Sequence, residues 1–267
     1  MLIIGGLINT SRKAIREATE TRNKQYIQKV AKHQEAAGAN YLDVNCSTMV
    51  GQEIKCMEWL VNTIQEVTNL PLCINSLDEN ALRTGLQLAK SDNGKKMINS
   101  TTAEKKRYQV VVPLVKEFNT KIVAFCIDDA GIPETAEDRI RIASKLVEDI
   151  EKEGLAQDDI YLDPLIKPLN SNDKYGKAVL DAIWVIKKKY PVVHLACGLS
   201  NISYGLPNRA VLNRLFVVQT MTMGMDGYIL NPTDKAMMGA VYAALALLGN
   251  DKYCTKYLKA CREGLYA

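Results

Sequence analysis

Lys121-Ile122-Val123-Ala124-Phe125-Cys126-Ile127, then Thr135 to Gly154, then Ile160-Tyr161-Leu162-Asp163-Pro164-Leu165: these consecutive pieces decide the fold. The first and third are short, apolar and β-branched, as strands are. In the middle one Ile140, Ile142, Ala143, Leu146, Val147 and Ile150 recur at helical spacing, and Glu137, Asp138, Arg139 and Arg141 read as the solvated face. Strands joined through a helix need a crossover, and such a crossover makes them parallel.

Working outward, the same unit recurs along the whole chain. Strand-like runs lie at Leu2–Ile8, Asn40–Cys46, Pro71–Ser76, Lys96–Thr101, Lys121–Ile127, Ile160–Leu165, Val192–Leu199 and Gly227–Asn231, and their starts are 25 to 39 residues apart. Each interval holds a strand, a helix and two loops. Thr19–Gly38 is another helical segment, with Tyr26, Ile27, Val30 and Ala31 on one side and Gly38 as its stop. Eight strict βα alternations predict an α/β protein of the (β/α)8 TIM-barrel kind. A doubly wound open sheet is the rival, but it carries a glycine-rich phosphate loop after its first strand, whereas Gly5-Gly6 lies inside this one. No linker or composition shift divides the chain, so residues 1–267 read as a single domain.

With 267 residues, 47% hydrophobic, 24% charged and a net charge of +4, the chain has the composition of a soluble globular protein. The basic excess is spread out, so no nucleic acid is expected as a partner. No membrane partner is expected either: the most apolar stretch, Ala236–Leu248, has 13 residues where a bilayer span needs about 20. The N-terminus reads as a strand rather than a signal peptide, and a cytoplasmic protein is expected. Seven cysteines form no CxxC pair and there are two histidines, His33 and His194, so no metal site is expected. Cys254 and Cys261, seven apart on a helix, read as small buried or half-buried residues. His194 reads as a hydrogen-bonded residue in the middle of strand seven. Trp59 and Trp184 read as helix packing, and Met221, Met223, Met225, Met237 and Met238 as core filler that borders a subunit contact.

A TIM barrel keeps its chemistry at the carboxyl ends of its strands. Here those ends read Asn9; Asp43 and Asn45; Asn75; Asn99 and Ser100; Asp128 and Asp129; Asp163; Ser200 and Asn201; Asn231 and Asp234. One such Asn is an ordinary turn residue. A ring of them is a site rich in amides and carboxylates, with no serine elbow or paired glutamates. Amides offer both donor and acceptor and a carboxylate accepts two N–H groups side by side, which suits the edge of a flat heterocycle such as a pterin.

Leu2-Ile3-Ile4-Gly5, Leu42-Asp43-Val44-Asn45, Met57-Glu58-Trp59-Leu60-Val61, Met97-Ile98-Asn99-Ser100-Thr101, Tyr161-Leu162-Asp163-Pro164-Leu165 and Gly198-Leu199-Ser200-Asn201-Ile202-Ser203 resemble, in order, the pterin-binding corrinoid-dependent methyltransferases. Methyltetrahydrofolate:corrinoid/iron-sulfur protein methyltransferase belongs to these, and the folate domain of methionine synthase is a more distant relative. The resemblance implies a dihydropteroate synthase-like barrel that binds tetrahydrofolate in its mouth. It implies methyl exchange between N5 and a corrinoid carried by a partner protein, and a homodimer. Asp163 and Asn99 would hold the pyrimidine side and Asn201 would sit near N5 as the catalytic residue. Asp43, Asn45, Asn75, Gly198 and Ser200 complete the candidate substrate site.

Two positions depart from the family: Gly6 stands where a glutamate is usual, and Asn75 where an aspartate is usual. Both make the site less anionic, which favours transfer from methylcorrinoid protein to tetrahydrofolate over the reverse, methyltetrahydrofolate to Co(I). Dihydropteroate synthase is an alternative, but its lysine after strand seven and its arginine–histidine pair after strand eight are replaced by Ser200-Asn201-Ile202-Ser203 and Asn231-Pro232-Thr233-Asp234. A non-catalytic folate-binding module is the reading from another class.

Overall fold

The computed structural model describes residues 1–266. All eight strands form: β1 (Leu2–Gly5), β2 (Tyr41–Asn45), β3 (Leu72–Asn75), β4 (Met97–Thr102), β5 (Lys121–Phe125), β6 (Ile160–Asp163), β7 (His194–Gly198) and β8 (Gly227–Leu230). They pair in parallel and in sequence order, and β1 closes on β8 through the register Leu2↔Gly227 to Gly5↔Leu230. Around them run α1 (Lys13–Glu20), α2 (Lys24–Ala36), α3 (Glu53–Gln65), α4 (Glu79–Leu88), α5 (Lys105–Phe118), α6 (Ala136–Lys152), α7 (Tyr175–Lys189), α8 (Arg209–Met223), α9 (Lys235–Leu247) and α10 (Thr255–Arg262). Among the described residues no helix is long and apolar enough to cross a membrane.

Local signals explain the element ends. Thr135 accepts from the Asp138 amide while the Asp138 side chain accepts from the Thr135 amide, a capping box that starts α6 where the apolar stripe begins. Asn23 caps α2, so the segment expected as one helix over Thr19–Gly38 is two, broken where Arg22 takes φ +54°. Gly38, at φ +96°, ends α2 in the left-handed conformation that glycine adopts without a Cβ clash.

The core has two parts because a closed barrel has two faces. A large apolar cluster fills the space between the outer strand faces and the helices. A smaller one lies inside: Ile4, Tyr41, Cys73, Met97, Val123, Tyr161 and Ala196 are buried, with Ile229 packed against them, one residue from each strand. Burying a side chain of this size contributes about 1.5–3 kcal/mol, so the inner ring alone is a substantial share of the stability of the barrel.

Several expectations are corrected. Arg139, read as solvated, is 0% exposed. Cys254 and Cys261 are exposed, because α10 rests on the surface and buries only Ala260. His194 is the first residue of β7, not its middle, and bonds Asp226 and Asp158 at the amino end of the barrel. Trp184 is 48% exposed beside Lys188, whereas Trp59 is packed against the core under Arg22. Met221, Met225, Met237 and Met238 are buried and Met223 packs against them, as core filler should.

Candidate functional site

Side chains of a strand alternate between faces, so the residue two beyond each member of the inner ring is the next to face the barrel axis. Those positions are Gly6, Asp43, Asn75, Asn99, Phe125, Asp163, Gly198 and Asn231. The apolar floor is thus capped by a layer holding three amides, two carboxylates and one aromatic ring. Five of the candidate residues, Asp43, Asn75, Asn99, Asp163 and Gly198, belong to this layer.

One side of the layer is a bonded network. The Asn75 amide nitrogen donates to both Asp43 oxygens at 3.1 and 3.2 Å, and the Asn99 amide nitrogen donates to Asp43 Oδ1 at 3.1 Å. Because both NH2 groups face Asp43, both amide oxygens are turned away from it as acceptors. Asp43 therefore fixes the orientation of both amides. Burial pushes its carboxyl up to about 6, against the lowering effect of Asn99, Asn75 and Cys73.

Across the mouth, Asp163 ends β6 and is 5% exposed. Its Oδ1 accepts from the Leu165 amide at 2.8 Å. Burial raises its carboxyl to about 7, opposed by the Leu165 and Gly198 amides and the Arg139 charge. Asp43 and Asp163 are buried acids without an ion pair, poised to ionise near neutrality, which is the pattern of a functional site. Phe125, half-buried in the same layer, was missed in the sequence; counting two residues on from Val123 would have found it.

Arginines, also missed, grip the loops above the layer. Arg107 on α5 donates to the carbonyls of Ser100, Leu77 and Ser76, tying the loop after β3 to strand β4. Arg139 on α6 donates to Pro164, Leu165 and Thr135. Arg209 on α8 donates to the Ser200 carbonyl and the Ser203 hydroxyl. Asn201 and Ser200 are exposed in the single 3-10 turn Leu199–Ser203 that follows β7. Gly198 lies beside that turn: a Cβ there would stand 3.8 Å from the Asn201 amide nitrogen, an ordinary contact.

Other strand-end residues serve local turns. Asn45 accepts from the Ser47 amide and hydroxyl, Asn9 from the Ser11 amide, and Asn231 from Thr233. Asp234 caps α9, Asp128 pairs with Arg141, and Asp129 accepts from the Lys105 amide. The Asn45 oxygen thus holds a turn. At Gly6 a Cβ would come 3.0 Å from Ile229 Cγ2, so a longer residue there requires Ile229 to move. A cavity of about 690 Å³ lies away from this layer, between the end of α2, α9 and α10. None of the buried polar side chains lacking a partner lines it. Among the described residues no group of three or more His, Cys, Asp or Glu is arranged for a metal ion.

The chain is a closed (β/α)8 barrel whose mouth carries amides and acids suited to a donor–acceptor edge. The chain belongs to the pterin binding enzyme family, whose pattern matches residues 5–231. It is 35% identical over 266 residues to a methylcorrinoid:tetrahydrofolate methyltransferase of Eubacterium limosum, covering 99% of this chain and 97% of that one. It is 32% identical over 245 residues to methionine synthase of Mycobacterium leprae, covering 86% of this chain and one fifth (20%) of that protein. Among solved structures, 7,8-dihydropteroate synthase from Vibrio fischeri superposes with a TM-score of 0.68 at 13% identity over 93% of both chains, a likeness of fold. A dihydropteroate synthase of Xanthomonas albilineans gives 0.67 at 16%, over 94% of this chain and 92% of that one.

Proposed function

We propose that this protein is an enzyme that moves a methyl group from a methylcorrinoid protein to N5 of tetrahydrofolate, within a demethylation pathway. The observation that carries the reading is the mouth layer, with Asp43 turning the oxygens of Asn75 and Asn99 outward opposite the buried Asp163. The near full-length similarity to the Eubacterium protein supports it.

In this reading Asp163 and Asn99 accept from the N–H groups on the pyrimidine side of the pterin. Asn75 holds the neighbouring edge, and Phe125 offers an apolar face. The ring is then fixed with N5 below Asn201. Methyl transfer forms the N5–CH3 bond with the N5 lone pair while the cobalt–carbon pair stays on cobalt, leaving Co(I); the N5 proton leaves to solvent, because an amide is no base. Asn201 contributes a hydrogen bond at the reacting nitrogen and the layer contributes alignment. The neutral Asn75 leaves less negative charge near N5 than an aspartate would, which suits attack by a free lone pair better than departure of a methylated amine.

The corrinoid belongs to the partner. His33 lies on the outer helix α2 and His194 is engaged by Asp226 and Asp158 at the far end of the barrel, so neither is placed to ligate cobalt at the mouth. Residues 1–267 act here as one barrel domain in the cytoplasm, and as a homodimer. The exposed pair Val211 and Leu215, one turn apart on α8, supports a subunit contact there rather than at the buried methionines.

The test is spectroscopic. Mixing the protein with a methylated corrinoid protein and tetrahydrofolate should convert the methyl-Co(III) spectrum to that of Co(I), with methyltetrahydrofolate formed in equal amount. Tetrahydrofolate binding without conversion in either direction would leave a folate-binding module; conversion only from methyltetrahydrofolate would reverse the assigned flow.

A further inference from the structure

We infer that Arg139 is a positioning residue for Asp163, acting through the Asp163-Pro164-Leu165 turn to aim and charge the carboxylate that meets the ligand. The inference rests on the reading of Asp163 as the pterin-binding acid.

Arg139 is a buried cation whose hydrogen bonds all go to carbonyls: Nε to Pro164 at 2.8 Å, one Nη to Leu165 at 3.1 Å and the other to Thr135 at 2.8 Å. Among the described residues no carboxylate accepts from it. Burying a cation without a counter-ion is costly, and neutral donors would hold the same carbonyls. Its charge is therefore in excess of what the turn needs.

The geometry shows where the charge is felt. Leu165 stands at φ +57°, a left-handed conformation unusual for a branched residue, and its amide donates to Asp163 Oδ1 at 2.8 Å. Arg139 grips the carbonyls of Pro164 and Leu165, one on either side of that amide along the chain. Fixing those carbonyls fixes the amide, and the amide fixes the carboxylate.

The groups facing Asp163 come from three sides: Arg139 from α6, Cys126 from the loop after β5 and Cys197 from β7. Burial holds both thiols neutral, leaving Arg139 as the charge that faces Asp163. Glu134, Asp138 and Tyr175 face Arg139 from outside the mouth. Glu134 bonds Lys167 and the Tyr175 hydroxyl, and Asp138 is engaged in the capping box. The remaining field of Arg139 works against the burial of Asp163.

Tetrahydrofolate binding by the full chain, titrated calorimetrically between pH 5.5 and 9, is the test, with melting temperature measured alongside. The wild type should bind more tightly as pH rises through the ionisation of Asp163, raised to about 7, and then level off. Arg139→Gln should move that midpoint up by about one pH unit and weaken binding at pH 7 by about fivefold through the lost ionised fraction alone. Arg139→Lys, which keeps the charge but not the fork, should keep the midpoint while losing affinity several-fold at every pH. An unmoved midpoint in Arg139→Gln, with only the melting temperature lowered, would overturn the inference and leave a loop clamp. If Arg139→Gln does not fold, Arg139→Lys decides: unchanged affinity at every pH overturns it. Asp163→Asn separates the parent reading, because a pH profile that survives in that variant shows that Asp163 is not the titrating ligand. No binding by the wild type overturns that reading and this inference together.

Discussion

The two ends of the barrel treat their acids in opposite ways. At the amino end Lys95 pairs with Asp159 at 2.5 Å, and Asp226 receives Lys187, His194 and the Leu195 amide. Burial would raise Asp226, but His194, the Leu195 amide and Lys187 outweigh it and hold its carboxyl below the ordinary range. At the carboxyl end Asp43 has only neutral side-chain donors, Asp163 has backbone amides, and both are pushed up by burial. At the amino end Asp159 and Asp226 have cationic partners. At the mouth Asp43 and Asp163 have no cation bonded to them among the described residues, and perturbed acids of that kind mark candidate sites.

The largest expected effect breaks this contrast at its most exposed point. Asn201 is not part of the buried network, so Asn201→Ala should leave stability and ground-state folate affinity nearly unchanged. The single-turnover rate of methyl transfer should fall by about 10²- to 10³-fold, the loss typical of one preorganised donor to a reacting centre. Equal losses in rate and affinity would make Asn201 a uniform binding contact.

Next comes the direct exchange of roles between the ends. Asp163→Ala should weaken tetrahydrofolate binding by about 10- to 150-fold, since a hydrogen bond to a charged group contributes roughly 1.5–3 kcal/mol. Asp226→Asn should leave affinity unchanged and cost about 2 kcal/mol of stability, by stranding Lys187 and His194. The pH dependences should also oppose each other. Asp163 binds its proton more tightly folded than unfolded, so its contribution falls as pH rises from the unfolded value of about 4 through 7. Asp226 is the reverse: its contribution is present above the ordinary carboxylate value and is lost as pH falls. Denaturant melts of Asp163→Asn and Asp226→Asn at pH 5 and 8 would check both signs; parallel curves would dissolve the contrast.

The smallest effect sharpens it. Asn75→Asp would place a second carboxylate within 3.1–3.2 Å of the Asp43 oxygens, where an amide now donates. Two acids that close share a proton well above the usual range. The fold should survive. The rate from methyltetrahydrofolate to Co(I), relative to the reverse, should rise several-fold above the pH at which the shared proton leaves, where the pair places a second negative charge near N5, and less below it. Stopped-flow rates in both directions across pH would show this, and an unchanged ratio would make Asn75 a mere isostere.

The fold was legible because each strand is a compact β-branched run and each βα interval has room for one helix. Part of the candidate site was legible for the same reason: Asn75, Asp163 and Gly198 end strands, Asp43 and Asn99 lie within two or three residues of strand ends, and strand alternation puts all five in one layer. Asn45 shows the ambiguity of an amide at a strand end: its oxygen closes a turn by accepting from Ser47, a role that sequence position does not separate from ligand contact. Phe125 was passed over because an apolar residue in an apolar run carries no mark of its own. Arg139 was misread from its charged neighbours Glu137, Asp138 and Arg141. Its spacing says otherwise: it lies three, four and seven residues before Ile142, Ala143 and Leu146, on the buried stripe. Arg107 and Arg209 show the same limit, because a side chain that reaches back to a loop carbonyl leaves no periodic trace.

The seam between β1 and β8 joins Leu2 to Gly227 and Gly5 to Leu230, the first strand to the last. Contacts so distant along the chain form late, after the loop-closure entropy of nearly the whole polypeptide has been overcome. During synthesis the first seven strands emerge with an edge waiting for the eighth, and the layer above the floor is an open arc until then. An arc cannot exclude water from Asp43 and Asp163 or face one against the other. The binding site is therefore a property of closure rather than of any half of the chain, and fragments that stop short of β8 should recognise nothing, however well their individual βα units form.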